Sequence, residues 1–173
     1  MSAIDRATTP RLAALPLTAL LLTSCGADGG AVGAVATGHF SARHHFPVIL
    51  IDWCGDSPPA RIDLSSQEHR WRLTANEEFS QSPVEVDLSA PGEAWDITDE
   101  SGAPAYRVVP EGADTEYTLG VTSAKGTEED RENDIASLRF DTDTLAAEDG
   151  VLLGTHESDE GTVISPDDFP PEC

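Results

Sequence analysis

The chain has 173 residues and carries 32 acidic against 10 basic side chains, a formal charge of −22, with 39% of residues hydrophobic. So acidic a chain is not expected to bind nucleic acid, whose phosphates must be met by Lys and Arg, and direct adhesion to anionic lipid headgroups is equally disfavoured. The length fits one domain with flanking segments.

Asp5, Arg6 and Arg11 mark a short polar start, and Leu12 to Leu22 follow as an apolar run. A helix needs about 20 apolar residues to cross a bilayer, so this run is too short. With Pro16 inside it and small residues behind it, residues 1–24 read as a secretion signal peptide. Leu22-Thr23-Ser24-Cys25, followed by Gly26, resembles the lipobox of bacterial lipoproteins. That resemblance implies cleavage before Cys25, acyl chains such as palmitate carried through its sulfur, and a lipid-anchored protein on the extracytoplasmic face of the cell membrane. Each buried methylene adds about 0.8 kcal/mol, so two or three chains hold firmly. Cleavage leaves 8 basic and 31 acidic residues on the mature part.

From Cys25 to residue 46 the chain is rich in Gly and Ala without an apolar period, as in Gly29-Gly30-Ala31-Val32-Gly33-Ala34, and is expected to be a flexible tether. It ends in a cluster of His39, His44 and His45. A metal site needs its ligands on a rigid scaffold with supporting partners, so no metal or cofactor is assigned. Metal binding through these histidines stays an alternative.

Residues 47–173 change character, with short runs of period two between proline, glycine and acidic turns. Pro47 to Trp53 is nearly all apolar, as a strand buried on both faces would be. Alternation then recurs at Ala60-Ile62-Leu64, Trp71-Leu73, Val84-Val86-Leu88, Trp95-Ile97, Tyr106-Val108, Tyr117-Leu119-Val121 and Ala136-Leu138-Phe140, and again near Val151 to Leu153 and Thr162 to Ile164. Thr142 to Glu148 is the one place for a short helical turn. About nine short strands at even spacing, without the helical patterns that βαβ units need, predict an all-β domain, an antiparallel sandwich or barrel.

With Cys25 given to lipid, Cys54 and Cys173 remain, and an exported thiol pair in a small domain is expected to be oxidised. Their disulfide would tie the end of the first core strand to the last residue. Gly55-Asp56-Ser57, directly after the apolar run, resembles the nucleophile block of the Gly-Asp-Ser-Leu esterases; with Cys54 it is also similar to the nucleophile region of trypsin-like proteases. A serine nucleophile needs a base, an orienting group and oxyanion donors. The esterase Asp-x-x-His segment has Leu153 at the Asp position before His156, its Gly-x-Asn-Asp block has Arg131-Glu132 before Asn133-Asp134, and Pro58-Pro59 follow the serine. No catalytic residue is assigned, and a serine hydrolase using Ser57 with His69 or His156 is kept as an alternative. Asp141-Thr142-Asp143-Thr144-Leu145-Ala146 lacks the closing ligand and glycine of a helix-loop-helix calcium site.

The lipobox, the Gly-rich leash, Trp53-Cys54-Gly55 leading through prolines into an alternating strand, the Leu138-Arg139-Phe140 strand and the C-terminal cysteine together resemble small secreted lipoproteins of unassigned function from actinobacteria. The expectation is a membrane-anchored, non-enzymatic module that binds or displays toward a protein or envelope partner.

Overall fold

The computed structural model of the chain describes residues 33–38, 46–112, 114–123, 135–147 and 150–172. Among the described residues there are eleven strands where about nine were expected, in chain order β1 (Gly33–Gly38), β2 (Val48–Trp53), β3 (Pro59–Ser65), β4 (Arg70–Ala75), β5 (Val84–Asp87), β6 (Trp95–Asp99), β7 (Pro104–Ala105), β8 (Glu116–Ser123), β9 (Ala136–Asp141), β10 (Val151–Thr155) and β11 (Thr162–Ile164). A six-residue helix, α1 (Thr142–Ala147), follows β9. Sheet 1 has the order β11-β10-β1-β2-β5 and sheet 2 the order β7-β6-β4-β3-β8-β9, and every strand pairing within them is antiparallel.

The expected period of two sorts the side chains between the faces of sheet 2. Ile62, Leu64, Leu73, Leu119, Val121 and Leu138 point inward, fully buried, and meet Val35, Ile49, Ile51 and Val86 of sheet 1 in one apolar cluster. Burying a side chain of this size contributes about 1.5–3 kcal/mol, which makes this layer the main source of stability. Phe46, Tyr117 and Phe140 form an aromatic group inside it, with centroids 5.0 to 5.5 Å apart. The sandwich is closed at one side where β9 approaches β10 and Arg139 N–H donates to the Asp159 carbonyl at 2.6 Å. There Gly154 is required, since a Cβ would lie 2.2 Å from the Ser137 oxygen.

Two expectations are corrected. The tether foreseen over residues 25–46 does not extend through Gly33–Gly38, which form β1 between β2 and β10 near the middle of sheet 1. The small residues that suggested a leash are demanded by packing: Ala34, Val35 and Ala36 are fully buried, and a Cβ on Gly33 would sit 2.2 Å from the Asp52 carbonyl. The strand foreseen at Tyr106-Val108 is displaced to Pro104–Ala105, because after Ala105 the chain leaves the sheet and Val108 N–H donates to Leu88 O at 2.8 Å. This segment crosses from the edge of sheet 2 toward the end of β5, with Val108 buried beneath it.

Candidate functional site

The residues singled out from the sequence fall in different places. Cys25, His39, His44, His45 and Cys173 lie outside the described residues. Cys54, one residue past β2, is disulfide-bonded. Ser57 is buried at the foot of β3, whereas His69 lies in the turn at the other end of that strand. Seven residues at about 3.3 Å each keep the two far beyond hydrogen-bond reach. His156 is exposed after β10, and among the described residues no hydrogen bond links it to Ser57. Among these residues, too, no group of three or more His, Cys, Asp or Glu is placed to hold a metal. Asp141 instead caps α1: its carboxylate accepts from Thr144 N–H and Thr144 Oγ1, both at 2.7 Å. The Thr144 hydroxyl, followed by its N–H, holds the Asp141 carboxyl below the usual carboxylate range.

What the fold does assemble lies at the outer edge of sheet 2. Asn76 N–H bonds to Ala94 O, which fixes the parity of β6: the main chains of Asp96 and Thr98 face β4, and those of Trp95, Ile97 and Asp99 face the open edge. Asp99 N–H is taken by Ala103 O at 3.0 Å and Ile97 pairs with Ala105, but β7 stops there, so no strand stands beside Trp95. In that gap is an open recess of about 650 Å³ lined by Ala90, Pro91, Gly92, Trp95, Asp96, Ile97, Thr98, Pro104, Ala105 and Tyr106. Tyr106 is 94% exposed at its rim, an extreme for so large an apolar ring. Below it Trp95 stacks on Phe79 at 5.1 Å, which fixes the floor.

A second recess of about 410 Å³ adjoins the first across Ala105, walled by His69, Trp71, Val109 and Pro110 and by the carboxylates Asp99, Glu100 and Glu111. The walls are held by specific bonds. Glu111 N–H donates to Tyr117 Oη at 2.7 Å, and Ser66 Oγ donates to Glu111 Oε1 at 2.5 Å. Burial raises the Tyr117 phenol pKa, so this anchor is unaffected near neutral pH. Asp99 accepts from Ser101 Oγ at 2.6 Å and from the N–H groups of Ser101 and Ala103, and the Ser101 hydroxyl leads in holding its carboxyl below the usual range. Asp99 therefore stays anionic at neutral pH, beside an apolar floor and a free strand edge. Pro104 removes one donor from β7, which shields most of the edge from indiscriminate pairing.

The sequence reading missed this site because Tyr106 alternates with Val108 as if both belonged to one strand face. The only available signal was the concentration of turn-formers, Pro91-Gly92 and Ser101-Gly102-Ala103-Pro104, on both sides of the Trp95-Ile97 strand. Compared with known protein families, curated proteins and solved structures, the chain matches none.

Proposed function

We propose that the protein is a lipid-anchored extracytoplasmic module that binds a protein or envelope partner at the β6–β7 edge of sheet 2, its anchor supplied by Cys25. The observation that carries the reading is the pairing of a nearly fully exposed Tyr106 with a largely apolar recess at an unfilled strand edge. Exposed aromatic rings over a preformed hollow are what binding sites use, because they bury a large area at little entropic cost. Among the described residues Ser57, His69 and His156 stand apart from one another, and none of them lines the recess under Tyr106. The described residues contain no helix long and apolar enough to cross a membrane, which is compatible with an anchor outside the fold.

The test is photo-crosslinking in cells that make the full chain. A photoreactive residue at position 106 should trap a discrete partner in the membrane fraction, and the adduct should leave that fraction in the Cys25→Ala background. The same residue at position 74, on the exposed outer face of sheet 2, should trap none. Equal labelling from both positions would overturn the edge as the binding site.

A further inference from the structure

We propose that the ligand of this edge is an extended, cationic polypeptide segment that continues sheet 2 beside Trp95; this rests on the edge being the binding site. Three observations specify the class. First, the register turns Trp95 N–H and C=O outward into the larger recess where β7 has ended, offering a donor and an acceptor in the plane of the sheet. Main-chain groups so arranged are satisfied by another extended chain, the basis of strand addition. Second, the recess on the Tyr106 side has an apolar floor, Trp95 and Ile97, and proline walls, Pro91 and Pro104, which suit an alternate apolar side chain of the incoming strand.

Third, the charge lining the two recesses is acidic. Asp96 lines the larger recess and Asp99, Glu100 and Glu111 line the smaller, while Arg107 is the one basic residue within the segment between β7 and β8. Successive side chains of a strand point to opposite faces, so a strand at this edge can present apolar and basic residues to different neighbours. An acidic or neutral segment would meet the same main-chain groups but gain nothing from the four carboxylates, whose field also speeds encounter with a basic partner.

Binding is measured on the full chain in nanodiscs with three synthetic hexapeptides: Lys-Val-Lys-Val-Lys-Val, its Glu-Val counterpart, and the Lys-Val peptide with alternate backbone nitrogens methylated. The first should bind, losing at least about tenfold in affinity in 0.5 M salt as the Debye length shrinks. The other two should be at least about tenfold weaker, and the exposed change Asp96→Asn should weaken the first alone. Equal binding of the Glu-Val peptide overturns the cationic requirement, and equal binding of the methylated peptide overturns strand addition. If no peptide binds while the position 106 crosslink persists, the inference fails and the edge reading stands; if the crosslink is also absent, both fail.

Discussion

On sheet 1, Ala34, Ala36 and Val151 point away from the facing sheet and are nevertheless fully buried, whereas the corresponding outward rows of sheet 2 carry Arg61, Asp63, Arg72, Thr74 and Thr98. Four of the five basic residues described, Arg61, Arg70, Arg72 and Arg139, stand on that outer face of sheet 2. Asp63 lies between two of them: its oxygens are 2.8 Å from Arg61 Nε and from Arg72 Nε. The contact to Arg61 is poorly aligned for a hydrogen bond, so it is an ion pair only. The comparison teaches that the two sheets answer to different solvents. At Ala34, Ala36 and Val151 sheet 1 is interior on both faces, which demands small or aliphatic residues there, while sheet 2 is wet on one face and carries the proposed site at an edge.

The largest difference should appear when one short carboxylate is placed on each outward face. Ala36→Asp sets an unpaired charge at a site with no exposure and should cost about 3 kcal/mol or more. Thr74→Asp, exposed on β4, should cost about 1 kcal/mol at most. Chemical denaturation of both variants checks this, and similar losses would mean that the outward face of sheet 1 is not interior in solution.

A smaller effect is expected from Asp63→Asn. Half-exposed ion pairs contribute about 0 to 1 kcal/mol, so the variant should unfold within that margin of the parent and become less sensitive to salt. A larger loss would show that the polar face of sheet 2 also carries structural weight.

The smallest effect is that of acid. Asp99 and Asp141 have carboxyls lowered by hydrogen bonds from Ser101 and Thr144, so each contributes stability above the unfolded carboxyl value of about 3.9. That contribution is lost as pH falls through the lowered folded values. Ser101→Ala should raise the Asp99 titration midpoint, followed by carbon-13 NMR, and leave Asp141 in place. An unmoved Asp99 midpoint would remove Ser101 as the cause.

How much of this was legible in the chain depends on which solvent each element meets. β3, β4 and β9 were readable because one face is wet, so polar and apolar residues alternate in the sequence. β2 was readable as a doubly buried strand because Val48-Ile49-Leu50-Ile51 has bulk throughout. β1 was not, since its two buried faces are filled by Gly, Ala, one Val and one Thr, a composition shared with flexible linkers.

The sequence alone determined the all-β class, the place of the short helix and the excess of acid, since period, turn residues and charge are local properties. Only the tertiary structure decided that Gly33–Gly38 belongs inside sheet 1, where close backbone approach from Asp52 forbids larger side chains. It alone also produced the candidate site. Tyr106 is exposed because Val108 is drawn to Leu88, a partner twenty residues away in sequence, and that pull ends β7 before it can cover Trp95.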